Sequence, residues 1–584
     1  MFCTRSSLRP VNLFGSLAIT LCASTFGVKA QPTNTVSDAS AQPAVPITAS
    51  VSIQSEQRLA VGLVRPDALK SYQQLCLNNL NALCFSEPIE RIYATNGFMP
   101  LWQNAELREA LYTRLRTLDY AQLMPGMAER IMELEYLEAQ HDQRGFDILA
   151  TDSYLVYQVL MQQMTKKPSI LFRHQTLTQV NHQMLAALSM GPASTMPQFG
   201  TNEQALMMSL RADEAAFTTT QRSLEQAKRY QQLPEHDYVP AKKVLVKEGK
   251  IIPDAQKVLA ILYQHGDLPE VEYDWLKQET VVTNSGHVHA ALKRFQKRNG
   301  LQVDGVYGPA TARQLALPFH DVARVIALNL HRNQFGATGE ERPSIRVNIP
   351  DYHMQITHKD EVVFESKVIV GRTARPTNLF SSALSVMVVN PRWNVPETIK
   401  KEDVIPGVKA SPDYLQRKNM TIIHSWRDRT EIPMEQIEWS TVDPETFPYE
   451  FMQGPGPTNA LGNVKFLMPN DYSIYLHDTP ARSLFGRTKR NLSSGCVRVE
   501  KAAELADYIL DYQRRTQSYK HLVKTEGIDN INLPRKIDVD FTYVTAWVDE
   551  NDVLQMREDI YGYDRPIREP VEDKFSTLKN YRRY

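Results

Sequence analysis

The sequence carries no surplus of charge of either sign, because Lys+Arg and Asp+Glu both number 66. A nucleic-acid-binding chain normally shows a basic surplus, so this balance argues against that class of partner. The composition also excludes a disordered or fibrous protein, since 42% of the residues are hydrophobic and 23% are charged. Because a single core rarely exceeds about 250–300 residues, a chain of 584 residues predicts several domains.

Long apolar runs are also missing beyond the N-terminal region. The run at residues 13–26 follows two arginines and is too short to span a bilayer comfortably. Small residues then precede Gln31, as at a signal-peptidase site, so residues 1–30 are predicted to be a cleaved signal peptide. Lipidation at Cys22 is the alternative, and the leucine before it fits a lipoprotein site poorly. The sequence therefore predicts a soluble, exported, periplasmic protein that keeps no transmembrane anchor after cleavage.

Cysteine is scarce. Of five cysteines, Cys3 and Cys22 would leave with the signal peptide, so three remain. In a continuous helix Cys76 and Cys84 would lie about 12 Å apart, beyond the reach of a disulfide. Either a helix break near the intervening asparagines lets them pair, which we favour, or both are buried apolar thiols. Cys496 is then the odd thiol, and a free thiol in an oxidising compartment needs a functional reason.

The periodicity of apolar residues changes from helical to strand-like along the chain. Helical periodicity and capping residues dominate the first part, whereas period-two alternation dominates after Glu341. The fold class predicted is therefore a multi-domain α+β protein. The predicted segments are a signal peptide (1–30), a flexible linker (31–55), a helical scaffold domain (56–240), a compact helical unit (241–318), a connecting helix (319–341), a mainly β domain (342–528) with an insertion at about 397–452, and C-terminal strands and tail (529–584).

The segment from Tyr475 to Arg498 carries the residues suited to chemistry. Alternation along a strand places Tyr475 and His477 on one face, directed towards a cleft. Cys496 follows Gly495, a residue that lets the backbone approach a substrate, and nearby N–H groups could form an oxyanion hole. A helix predicted directly after this turn is expected to lower the pKa of the thiol through its dipole.

A cysteine nucleophile also needs a base. His477 lies 19 residues upstream of Cys496 (496 − 477) and is the closest candidate in sequence. His521 is a rival that follows the predicted helix, in a lysine-rich stretch with no strand to aim it. The alternative to a catalytic role is that the cysteine is buried and unreactive and that the histidine is structural. A free thiol in a glycine turn of an exported protein favours the functional interpretation.

Two regions resemble families of bacterial cell-wall proteins. The run ALKRFQKRNGLQVDGVYGPATARQLAL resembles the small three-helix peptidoglycan-binding domain, which assigns residues 241–318 to such a unit. His477, Ser493, Gly495, Cys496 and Arg498 resemble the signature of the YkuD-type L,D-transpeptidase domain, which assigns residues 342–528 to a catalytic domain. Ser494 stands where that family often has histidine, and this departure matches the family's large multi-domain YcbB-like branch. Further motifs similar to that branch are VNPRWNVPETI (Val389–Ile399), QGPGPTNALGNVKF (Gln453–Phe466) and YLHDTPARSLF (Tyr475–Phe485).

This resemblance implies a two-step acyl transfer on peptidoglycan stem peptides. Cys496 would attack the carbonyl of the third, diamino-acid residue of a tetrapeptide stem and expel the terminal D-alanine. His477, its tautomer held by a backbone carbonyl near Asp478, would move the protons, and an amine of a second stem would open the thioester. The insertion would act as a lid over the site. The residues expected to position the substrate and the oxyanion are Tyr475, Gly495, Ser494, Arg498 and, more weakly, Trp393.

The resemblance implies no metal and no organic cofactor. The partners it implies are the donor tetrapeptide, the acceptor amine and other wall-synthesis proteins, and it implies acylation by carbapenems. Two alternatives stay open on the sequence. Water could replace the acceptor amine, which would make the protein an L,D-carboxypeptidase or a cross-link hydrolase. The chain could also be a non-catalytic wall-binding scaffold.

Overall fold

The computed structural model describes residues 83–124, 126–166, 171, 202–211, 214–333, 341–525 and 527–564. The predicted signal peptide, the flexible linker and Cys76 lie outside these residues. Cys84 is disulfide-bonded, and its predicted pairing with Cys76 stays a prediction. Among the described residues, Cys496 is the free cysteine. None of the helices in the described ranges is long and apolar enough to cross a membrane.

The N-terminal part is helical, as predicted, and its helices form where capping residues and apolar spacing agree. Asn104 caps the second helix by accepting hydrogen bonds from the N–H groups of the next turn. The apolar residues of that helix recur every three or four positions and are fully buried, for example Leu107, Leu111 and Leu115. The helices of this region are α1 (Ser86–Thr95), α2 (Ala105–Tyr120), α3 (Met127–Ala139), α4 (Gln143–Lys166), α5 (Glu203–Leu210) and α6 (Glu214–Gln232).

A second helical unit has its own core. Val288, Leu292 and Phe295 recur at helical spacing and are almost completely buried. Gly300 follows this helix with a φ of 62°, and the next helix has proline in its first turn. The helices are α7 (Ala255–Gln264), α8 (Glu270–Leu276), α9 (Gly286–Arg298) and α10 (Pro309–Leu315), followed by the connecting helix α11 (Phe319–Asn333).

The C-terminal part is built on a mixed sheet that has eleven strands in the described residues. Its order is β13-β5-β9-β10-β12-β3-β2-β1-β14-β4, with β11 paired to β3. One face packs against a helix, α15 (Ala502–Tyr512), whose apolar stripe is buried. The strands are β1 (Ser344–Asn348), β2 (His353–His358), β3 (Glu361–Gly371), β4 (Ser381–Ala383), β5 (Val386–Val389), β9 (Val464–Leu467), β10 (Leu476–His477), β11 (Asn491–Ser493), β12 (Val497–Val499), β13 (Asp529–Asn532) and β14 (Asp538–Thr542).

The insertion forms a small layer of its own. Its three-stranded sheet has the order β6-β8-β7, and a separate cluster that includes Val404, Ile405 and Phe451 is buried beneath it. The sequence reads as polar here because the apolar residues are few and widely spaced. The elements are β6 (Trp393–Asn394), α12 (Glu397–Ile399), a helical turn (Lys400–Val404), α13 (Ile405–Ala410), α14 (Tyr414–Arg417), β7 (Met420–Ile423) and β8 (Glu450–Gln453).

The strands of the C-terminal segment pack against two different parts of the chain. Its first two strands, β13 and β14, pair with β5 and β1 in the main sheet. The following hairpin, β15 (Ala546–Val548) with β16 (Leu554–Met556), packs instead into the core of the second helical unit. Strands beyond residue 528 therefore complete the sheet that carries the site. The described residues as a whole form a multi-domain α+β protein, which confirms the predicted fold class.

Candidate active site

Cys496 lies in a tight turn between β11 and β12. Gly495, directly before it, has a φ of 117°, a backbone conformation that favours glycine. The turn is tied on both sides: Ser493 Oγ donates to the carbonyl of Cys496 (2.6 Å), and Thr377 Oγ1 donates to the carbonyl of Gly495 (2.7 Å). The turn that carries Cys496 is therefore anchored through two of its backbone carbonyls.

His477 is brought next to this turn by strand pairing. β10 and β12 run parallel, with Leu476 opposite Val497 and His477 opposite Arg498. Leu476 and Val497 are fully buried in the core. Since side chains alternate along a strand, His477 and Arg498 lie on the other face, together with Tyr475 and Cys496, which directly precede β10 and β12. The register thus places the imidazole and the thiol on one face of neighbouring strands.

The tautomer of His477 follows from its backbone contact. Nδ1 lies 2.5 Å from the carbonyl oxygen of Asp478. A carbonyl can only accept, so Nδ1 carries the proton and Nε2 keeps its lone pair. Burial, together with the nearby Arg498 charge, lowers the pKa of His477 to about 3. The ring is therefore a neutral base at neutral pH, and the contact expected near Asp478 is present.

The predicted lowering of the thiol pKa is wrong for this arrangement. β12 separates Cys496 from the helix, which begins only at Ala502, so the sulfur does not lie at a helix N-terminus. Burial raises the pKa of the Cys496 thiol, and Tyr475, Arg498 and Lys465 offset this only in part. Its Sγ lies 3.7 Å from the carbonyl oxygen of Ser473. The thiol and the imidazole that share this face are thus both neutral at neutral pH.

Tyr475 and Trp393 line the same site. The ring centroid of Tyr475 is 5.7 Å from that of His477. Burial and the adjacent Cys496 raise the pKa of Tyr475 well above its ordinary value, while a hydrogen bond with Trp393 opposes this rise. Trp393 lies in β6, just before the insertion, and β6 pairs with β8 at the other end of the insertion. It thus connects the insertion to the aromatic wall of the site.

Ser494 is exposed and bound to an arginine that the sequence did not single out. Arg375 donates to Ser494 Oγ at 2.9 Å. The same guanidinium pairs with Asp403 at 3.0 Å and with Glu402, both in the insertion. Arg375, in the loop that follows β3, therefore connects the turn that carries Cys496 with the insertion.

The hydrogen bonds of the turn limit which backbone N–H groups could stabilise an oxyanion. The N–H of Gly495 is already engaged, since it donates to Ser493 Oγ at 3.2 Å. The N–H of Cys496 has no acceptor within hydrogen-bonding distance in the described part of the chain. The backbone N–H of Cys496 is therefore free to donate a hydrogen bond beside the sulfur.

The rival base does not join this group. His521 is exposed on the short helix Tyr519–Val523, and no contact joins it to Cys496 among the described residues. Its position beyond α15, outside the strands that carry the site, explains this. The choice of His477 as the base stays a prediction, which the pairing of β10 with β12 supports.

Comparison with known families places three domains along the chain. Residues 342–526 match the family described as "L,D-transpeptidase catalytic domain" (YkuD). Residues 87–233 match "Scaffold domain", and residues 254–315 match "Putative peptidoglycan binding domain". The chain is thus a multi-domain protein in which residues 342–526 are similar to YkuD-type L,D-transpeptidase catalytic domains.

Among individual proteins, the chain is similar to a "Putative L,D-transpeptidase" of Haemophilus influenzae. The two are 42% identical over 239 residues, which is 41% of this chain and 47% of the relative. The match thus spans about half the length of that relative. An L,D-transpeptidase structure from Stackebrandtia nassauensis aligns with 52% of this chain and 97% of its own, at 14% identity and a TM-score of 0.19. A score this low has no bearing on fold or function.

Proposed function

We propose that this protein is a periplasmic L,D-transpeptidase that uses Cys496 to cross-link peptidoglycan stem peptides. The supporting observation is a free thiol that shares one sheet face with an imidazole whose Nδ1 is held by the Asp478 carbonyl. The domain matches point to peptidoglycan as the substrate class. The donor would be a tetrapeptide stem, and the acceptor would be the side-chain amine of a second stem.

The first half-reaction transfers the acyl group to sulfur. His477 Nε2 takes the thiol proton as Sγ attacks the carbonyl of the third stem residue. The developing oxyanion is stabilised by the backbone N–H of Cys496, with Arg498 supplying positive charge nearby. The imidazolium then protonates the leaving amine, D-alanine departs, and a thioester remains.

The second half-reaction depends on which nucleophile reaches the thioester. A neutral amine of the acceptor gives its proton to His477 as it attacks, and the thiol is regenerated. Water would give hydrolysis instead, which is the carboxypeptidase alternative. The insertion supports transfer, because Arg375 ties it to Ser494 and Trp393, just before it, reaches Tyr475. A closed layer over the site excludes water.

The direct test is incubation of the purified protein with a disaccharide tetrapeptide, followed by mass spectrometry. We expect a cross-linked dimer with loss of one D-alanine. Tripeptide without dimer would replace the transferase proposal with the carboxypeptidase one. Neither product would contradict both.

The contacts of Arg375 with Ser494, Asp403 and Glu402 predict that its removal changes the ratio of dimer to tripeptide. Arg375→Met should free the insertion from the nucleophile turn, admit water, and lower the dimer-to-tripeptide ratio about 10-fold. Arg417→Met is a matched control, because the exposed Arg417 side chain bonds to Asp413 and Ser411, both within the insertion. An unchanged ratio in the Arg375 variant would show that this link does not hold the lid.

A further inference from the structure

A lysine lies directly beside the proposed base. Lys465 in β9 is paired with His477 in the antiparallel register of β9 and β10, and Arg498 is paired with His477 on the other side. Val464 and Phe466 are fully buried in the core, so Lys465 lies on the opposite face, together with His477. Its Nζ is 5.8 Å from the centroid of the Tyr475 ring. The imidazole is therefore flanked by two cations in the site.

Neither cation has a carboxylate partner among the residues that the structure describes. No Asp or Glu of the described residues lies within salt-bridge distance of Lys465 or Arg498. Arg498 Nε is buried and has no hydrogen-bond partner in that part of the chain. Burial lowers the pKa of Lys465, and the nearby Cys496 raises it. Positive charge is thus concentrated around the thiol without an anion to balance it.

Two cations elsewhere in the chain, both more deeply buried than Lys465, do have carboxylate partners. Arg130 pairs with Asp152 at 2.6 Å, and both side chains are fully buried. Lys400 in the insertion pairs with Glu397 at 2.8 Å. Taking a charge out of water is costly unless a partner compensates for it. Two uncompensated cations in the site therefore indicate that the balancing anion arrives with the substrate.

We propose that Lys465 determines specificity by binding the free carboxylate of the residue that leaves. This inference rests on the proposed function and names the group that the site recognises. The carboxylate of a terminal residue lies within about 5 Å of the attacked carbonyl carbon, so it falls close to the thiol. Arg498 keeps its role towards the oxyanion. Lys465 would thus restrict the enzyme to stems in which one residue follows the scissile bond.

The test compares two donors, a disaccharide tetrapeptide with a terminal carboxylate and the same compound with a terminal carboxamide. Wild-type enzyme should prefer the acid about 10- to 100-fold in kcat/KM for release of the last residue, as expected for a charged hydrogen bond. Lys465→Met should reduce this preference to less than about 3-fold by lowering activity on the acid. Lys465→Arg should keep most of it. Lys536→Met, at an exposed lysine in the loop before β14, is the matched control and should resemble wild type.

Each outcome decides between the possibilities. A Lys465→Met enzyme that still prefers the acid as strongly as wild type overturns the inference, and so does a wild-type enzyme that treats both donors alike. If the methionine variant does not fold, loss of the preference in Lys465→Arg, with activity on the amide retained, overturns it as well. Release of no residue from either donor by wild type contradicts the proposed function itself.

Discussion

Replacing Cys496 by alanine is expected to abolish both tripeptide and dimer formation, with a loss of at least about 1,000-fold in turnover. The reason is that no second thiol is free among the described residues, since Cys84 is disulfide-bonded. The backbone that would stabilise the oxyanion remains in place, so residual activity would come from binding and polarisation alone. Product formation from disaccharide tetrapeptide, followed by mass spectrometry, measures the effect.

A second readout separates catalysis from wall binding. A carbapenem should add its mass to Cys496 in the wild-type protein and leave the Cys496→Ala variant unmodified. Cys496→Ser is the matched control for packing, because serine nearly preserves the shape of the turn while lowering nucleophilicity. A non-catalytic scaffold would show no acylation at Cys496, and its cellular effect would survive the alanine substitution. Prompt acylation would exclude that alternative.

The fold was readable from the sequence where local pattern and tertiary packing agree. Val288, Leu292 and Phe295 predicted one face of α9, and all three are buried there. Alternation around Leu476 likewise predicted that Ile474 and Leu476 belong to the core, and both are buried. The layer formed by the insertion was not readable, because its strands are two to four residues long and its core residues lie far apart in sequence.

The site was predictable only where its residues are close in sequence. Cys496 and His477 stand in one motif, and parallel pairing of β10 with β12 joins them. Arg375 contacts Ser494 across 119 positions, and nothing in the pattern around it indicates that contact. Lys465 carried a weak signal, as a charged residue between two core residues of a strand. The pKa of the thiol was missed because burial, which raises it, depends on the packing of distant segments.

Replacing His477 by glutamine should lower kcat/KM for donor acylation by about 100- to 10,000-fold, the range for loss of a general base. His521→Gln is the matched control, since His521 is exposed and makes no contact with Cys496 among the described residues. It should retain wild-type activity. The reverse result, with loss in the His521 variant and activity in the His477 variant, would reassign the base.

The burial of His477 also predicts a dependence of stability on pH. Its pKa is about 3 in the folded protein, against an ordinary value of 6.5, so between these values the unfolded chain binds one proton more than the folded one. The free energy of unfolding must therefore fall as pH falls through this window, by about 1.4 kcal/mol per pH unit, or about 2 kcal/mol between pH 6.5 and 5. His477→Gln removes this contribution, while other buried histidines such as His331 titrate equally in both proteins. The free energy of unfolding, measured in urea with hydrogen exchange in β10 and β12 as the probe, should thus depend less steeply on pH in the His477→Gln variant. Equal slopes would mean that the imidazole titrates near its ordinary value in the folded state, and that it would be protonated at the mildly acidic pH where a neutral base is required.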